Sequence, residues 1–139
     1  MQAIVGQTLL QGPNTVNTKD VLESCKFVAI YFGAHWAPPC RLFTQTLRGF
    51  YESTNQGHKQ IEVIFVSLDG NKEAFLRNFN GTNKNEEAMP WLAVPYEAED
   101  RIQTLKMSYG INGIPTLVVL DPQGKLITYD GRKDIQQKP

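Results

Sequence analysis

The chain has 139 residues, of which 14 are basic, 14 are acidic and 41% are hydrophobic. That length and apolar content fit one compact domain, residues 1–139, with a core of its own, and exclude two. Balanced charge without a Lys/Arg cluster removes the electrostatic footprint that nucleic-acid or anionic-membrane binding requires, so neither partner is expected.

In chain order, the first strong signal is residues 26–33, Lys-Phe-Val-Ala-Ile-Tyr-Phe-Gly, a near-continuous apolar run rich in aromatic and branched side chains. It reads as a central strand buried on both faces. After Pro38-Pro39, apolar residues recur at Phe43, Leu47, Phe50 and Tyr51, the i, i+4, i+7, i+8 spacing of one stripe along a helix. Pro39 suits the first turn, where a missing N–H costs nothing. Residues 61–68, Ile-Glu-Val-Ile-Phe-Val-Ser-Leu, predict a second buried strand, and Ala74, Phe75 and Phe79 a short helix after the turn at Asp69-Gly70. A polar loop is expected over 78–87 and an extended segment over 89–96, around Pro90 and Pro95. Ile102, Leu105 and Tyr109 mark another helix, closed by Gly110 and Gly113. Residues 116–121 and 125–129 form an antiparallel hairpin across Asp121-Pro-Gln-Gly124, which has the residues a type I turn prefers. Alternating strands and helices ending in a hairpin predict an α/β fold: a mixed central sheet, helices on both faces, and its site at the carboxyl ends of the parallel strands.

The start, Met-Gln-Ala-Ile-Val-Gly, has neither a basic nor a long apolar segment, and no later apolar run approaches the roughly 20 residues that cross a bilayer. An intracellular, cytoplasmic protein is expected. Two cysteines and two histidines supply neither a disulfide scaffold nor a four-ligand zinc site, so no metal or cofactor is expected. Cys25 precedes the first central strand and Cys40 follows it, which separates them by about 25 Å. A disulfide needs Cα atoms within about 7 Å, so the two do not pair. Cys25 reads as a small residue at a turn.

The end of the first strand runs through His35-Trp36-Ala37-Pro38-Pro39-Cys40-Arg41 into the helix. This segment resembles the active-site segment of the thioredoxin superfamily, in particular the Trp-Cys-Pro-Pro-Cys-Arg motif of tryparedoxins and nucleoredoxins. Residues 89–96 (Met-Pro-Trp-Leu-Ala-Val-Pro-Tyr) and 109–116 (Tyr-Gly-Ile-Asn-Gly-Ile-Pro-Thr) resemble two further nucleoredoxin segments, as does Gly131-Arg132-Lys133 after the hairpin. The likeness covers residues 26–133 and implies a thioredoxin-like fold with a cis bond before Pro115, facing the Cys40 segment. It also departs at one place. Where the family carries its nucleophilic first cysteine, this chain has Ala37; Cys40 holds the resolving position with nothing to resolve.

Tyr31 occupies the place of the buried carboxylate of bacterial-type thioredoxins, and tyrosine is no general base near neutral pH. His35 and Arg41 are expected to be solvated, Trp36 to be a surface aromatic and Trp91 a packing residue. By the resemblance, Trp36, Pro38, Pro39, Ile114 and Pro115 form a binding ledge for an extended chain. Nucleoredoxin-like chains continue past Gly-Arg-Lys into a terminal helical extension, so residues 134–139 are expected either to leave a face uncovered or to fray. The domain thus reads as a redox-degenerate module that binds a protein partner. Thioredoxin-like subunits of axonemal dyneins, with the abundant Asn and Gln, point toward a cytoskeletal or ciliary assembly. The competing reading is a protein-disulfide reductase whose cysteine at 37 has been replaced, and a third has an exposed Cys40 acting as a lone thiol.

Overall fold

Ahead of the first apolar run the chain forms helix α1 (Gln2–Val5), strands β1 (Thr8–Gln11) and β2 (Asn14–Asn17), and helix α2 (Thr18–Leu22). The computed structural model describes residues 1–81 and 88–137. Sequence patterning places no element in this leader, yet it joins the core: Val5, Leu9 and Leu22 are all buried. β1 and β2 pair across the two-residue turn Gly12-Pro13, with Gly12 at φ 57°, a left-handed conformation of the kind such hairpin turns demand. Asn17 caps α2 by accepting the Asp20 N–H at 3.3 Å.

Next come β3 (Phe27–Gly33), α3 (Pro38–Thr54), β4 (Ile61–Ser67), α4 (Lys72–Asn80), β5 (Leu92–Ala93), α5 (Glu99–Ser108), β6 (Thr116–Leu120), β7 (Leu126–Thr128) and α6 (Gly131–Gln137). The sheet runs β2-β1-β5-β4-β3-β6-β7. β4 lies parallel to both β3 and β5, and β6 antiparallel to β3. The two apolar runs are therefore its centre, and the period of two splits their side chains between two cores. Val28, Ile30, Phe32, Ile64 and Val66 join Ile102 and Leu105 on one face. Ala29, Tyr31, Val63 and Phe65 join Phe43, Leu47, Phe75, Phe79 and Trp91 on the other. Each fully buried Val, Ile or Phe adds about 1.5–3 kcal/mol, and a one-residue slip of β3 would send every one of them to the wrong face.

Two expectations need correction, at the end of α4 and at the C-terminal segment. α4 runs on to Asn80 because Phe79 docks with Phe75 and Phe65, so the loop expected from residue 78 starts later; residues 82–87 of it lie outside the described residues. Within the extended 89–96 segment, Leu92–Ala93 pairs as strand. The C-terminal segment, expected to fray or to be missing its cover, forms α6 and packs on β6 and α3. An ideal Cβ on Gly131 would stand 2.9 Å from the Leu117 carbonyl oxygen and 3.0 Å from Leu117 and Val119 side-chain carbons. Only glycine lets α6 start so close to the sheet. An apolar groove of 260 Å³ lined by Phe27, Phe50, Val119 and Ile135 remains beside it.

Candidate functional site at the amino end of helix α3

The β3–β6 register pairs Phe32 with Thr116, which sets Pro115 level with Gly33 and Ile114 level with the start of the loop leaving β3. The Ile114–Pro115 peptide bond is cis. The loop after β3 carries His35 and Trp36 into α3, so both segments meet at the carboxyl end of the central strand, where an α/β sheet places its sites.

Ala37 is the N-cap of α3, extended at φ −95°, ψ 112°, without a side-chain cap. Its carbonyl accepts the Cys40 N–H at 2.9 Å and the Arg41 N–H at 3.3 Å, closing the first turn, and Pro38 and Pro39 cost nothing there. Cys40 is 2% exposed. Burial pushes its thiol up from the ordinary range and Asp69 adds to the push, while a backbone hydrogen bond at Ala34, Arg132 and Arg41 pull less strongly the other way. A buried, protonated thiol is a poor nucleophile. Cys25 is also free and buried, its thiol likewise raised by burial.

Tyr31 holds this turn to the sheet. Its hydroxyl donates to the Cys40 carbonyl at 3.1 Å and shares a hydrogen bond with Thr44 Oγ1 at 2.7 Å. Burial pushes the phenol far above the usual tyrosine range, so it stays neutral. The ring lies over Gly33, where an ideal Cβ would be 2.9 Å from Tyr31 Cε1; a glycine there makes the arrangement possible.

The loop itself is anchored by Asp69, a residue read from the sequence only as part of a turn. Asp69 is 6% exposed. Its Oδ1 accepts the His35 N–H at 2.9 Å, its Oδ2 accepts the Ser67 hydroxyl at 2.6 Å, and its carbonyl accepts the Tyr96 hydroxyl at 3.0 Å. The Leu68 carbonyl accepts Trp36 Nε1 at 3.4 Å. The available signal was an acid at i+2 from a serine at a strand end, Ser67-Leu68-Asp69. His35, expected to be solvated, is instead half-buried. Arg41 is exposed but bonded, donating to the His35 carbonyl at 2.6 Å.

Of the ledge residues, Trp36 is 65% exposed, Pro38 and Pro39 are exposed, Ile114 is half-buried and Pro115 is buried. Trp91 is buried edge-on to Tyr31 and Tyr51. A cleft of 480 Å³ follows the cis-proline segment, lined by residues 109–116 together with Tyr129, Asp130 and Arg132. Among the described residues, no group of three His, Cys, Asp or Glu is placed to hold a metal ion. No helix among them is long and apolar enough to cross a membrane.

A helix that opens on a buried cysteine and a cis-proline ahead of the antiparallel neighbouring strand, both at one end of a mixed sheet, make this a thioredoxin-like fold. Comparison with known proteins agrees: the model of a family described as Thioredoxin-like matches residues 24–126. The chain belongs to this thioredoxin-like family and is of the nucleoredoxin and tryparedoxin type. It is 44% identical to mouse (Mus musculus) nucleoredoxin over 131 residues, which cover 91% of this chain and 28% of that protein. The chain thus spans under a third of the curated nucleoredoxins it matches. Among solved structures, a thioredoxin from Wuchereria bancrofti is 36% identical with a TM-score of 0.82, covering 98% of this chain and 90% of that one. Tryparedoxin II from C. fasciculata is 32% identical with a TM-score of 0.84, covering 96% and 83%.

Proposed function

We propose that this domain has lost dithiol–disulfide exchange and binds a protein partner non-covalently on the surface carrying Trp36. One observation carries the reading: alanine occupies the N-cap of α3, where the helix dipole would stabilise a thiolate. Cys40 does not replace it. Exchange starts with an accessible thiolate attacking a disulfide sulfur, whereas the Cys40 thiol is buried and its pKa is raised. The same burial argues against a lone-thiol role for Cys40. What persists is an exposed indole, two exposed prolines and the half-buried Ile114, and exposed aromatic anchors concentrate binding energy. We extend the proposal to an intracellular partner, with a cytoskeletal or axonemal assembly as the class that composition and resemblance favour.

A second reading, a protein-disulfide reductase with its cysteine at 37 replaced, draws support from the otherwise complete first turn, in which Cys40 is held in place by Tyr31 and Ala37. The experiment for the first is partner capture under reducing conditions. Trp36→Ala should weaken capture by about tenfold, roughly 1.4 kcal/mol, with the thermal midpoint unchanged, while Met107→Ala, at an 81% exposed position, leaves it intact. Undiminished capture by the Trp36 variant refutes the proposal.

A further inference from the structure

The two edges of the sheet differ in what they expose. β2 reads Asn-Thr-Val-Asn, with one apolar side chain and little to gain from being covered. β7, the opposite edge, reads Leu-Ile-Thr, and Leu126, Ile127 and the following Tyr129 are all exposed, Ile127 to 50%. The β6–β7 register passes from Leu120–Leu126 to Val119–Thr128, so Ile127 is the extra residue of a bulge and faces no residue of β6. A bulge interrupts the row of backbone groups that another strand would pair with, and it re-aims side chains. What β7 offers a partner is therefore an exposed isoleucine rather than a ladder. Beside it lies the apolar groove between α3 and α6, lined by Phe27, Phe50, Val119, Ile135 and also Thr128, the neighbour of Ile127. The charged side chain on this groove is Asp134, and the charged residue next to β7 is Lys125. Neither forms an ion pair with a described residue. One strand thus carries an apolar knob beside a cation, and the adjoining groove is an apolar hole beside an anion. Such a surface is complementary to itself, which is what a two-fold interface between identical chains requires.

We propose that this face binds a second copy of the chain about a two-fold axis beside β7, Ile127 of each copy entering the groove of the other and Lys125 of each meeting the other's Asp134. Burial of the isoleucine supplies the attraction, and the paired charges set the orientation and exclude misaligned contacts. The contact is small, at the low end of specific interfaces, so the dimer is a weak one. Phe27, on the groove, and Trp36 lie beyond opposite ends of β3, so the dimer leaves the Trp36 surface open on both copies.

The test is sedimentation velocity of the full chain under reducing conditions, from about 5 μM to about 1 mM. The unaltered chain should pass from monomer to dimer over that range. Ile127→Lys, at an exposed position, should keep the thermal midpoint and weaken dimerisation at least about tenfold. Lys125→Glu and Asp134→Lys should each weaken it by bringing like charges together. An equimolar mixture of those two variants should dimerise again, because both contacts between unlike copies then join opposite charges. A chain that stays monomeric throughout, leaving the groove to another protein or to none, overturns the proposal. So does a dimer that Ile127→Lys retains, or a mixture of the charge variants that stays monomeric. These outcomes are separate from the partner-binding reading, which fails on undiminished capture by Trp36→Ala.

Discussion

Ala37→Cys adds a single sulfur at the amino end of α3, and its consequences follow from that helix. Residues three apart in an α-helix have Cα atoms about 5 Å apart, inside the roughly 4.4–6.8 Å window for a disulfide. The Cys40 N–H already bonds the residue 37 carbonyl at 2.9 Å, so no backbone movement is needed. The helix dipole contributes about 0.3–1 kcal/mol to an anion at this position, which lowers the new thiol's pKa by about 0.2–0.7 and raises its thiolate fraction at neutral pH about two- to fivefold. Air oxidation should therefore close a 37–40 disulfide, seen by intact mass as a loss of two hydrogens, and reduction of insulin by dithiothreitol should accelerate over the unaltered chain. Ala37 is 7% exposed, so fitting the added sulfur should cost the reduced variant no more than about 1–3 kcal/mol. Both thiols remaining free after oxidation would refute the reasoning, because the first turn would then not be a dithiol site lacking one sulfur.

Cys40 should resist iodoacetamide in the native protein at neutral pH and react at once in denaturant; since its folded pKa lies above the unfolded one, its stabilising contribution is full below about pH 8.5 and falls as pH rises through the folded value. Rapid native labelling contradicts this. Tyr31→Phe deletes the bonds to the Cys40 carbonyl and Thr44, and calorimetry should show a loss of about 1–2 kcal/mol, with Tm down by about 3–8 °C. Asp69→Ala strips the His35 N–H and the Ser67 hydroxyl of their acceptor and should cost about 2 kcal/mol by urea titration, with altered Trp36 emission; Asp69→Asn, which keeps an acceptor, should cost less. Gly131→Ala forces a methyl toward the Leu117 carbonyl and should destabilise by about 1–3 kcal/mol; an unchanged Tm would mean α6 does not pack as described.

The sheet's centre was legible because a strand buried on both faces leaves a long apolar run, as in β3 and β4, and α3 because Phe43, Leu47 and Tyr51 recur at helical spacing. The β1–β2 hairpin left no such mark: its strands are four residues each, and β2 reads Asn-Thr-Val-Asn, its pairing with β5 through β1 a long-range event. α6 was illegible for a different reason, since its docking depends on a missing side chain at Gly131 rather than on an apolar stripe. At the site, Ala37, Cys40 and Trp36 stood out by their place in a motif. Asp69 did not, because a buried acid and a turn acid look alike until the loop that it anchors is folded against it.

Whether this chain exchanges disulfides decides between the two functional readings. Insulin reduction driven by dithiothreitol, measured beside a Trp-Cys-Pro-Pro-Cys relative at equal concentration, tests that directly. The expected rate is indistinguishable from that of dithiothreitol alone, because both cysteines, Cys25 and Cys40, are free and buried and exchange needs a pair of thiols within bonding reach. Turnover comparable to that of the relative would contradict it.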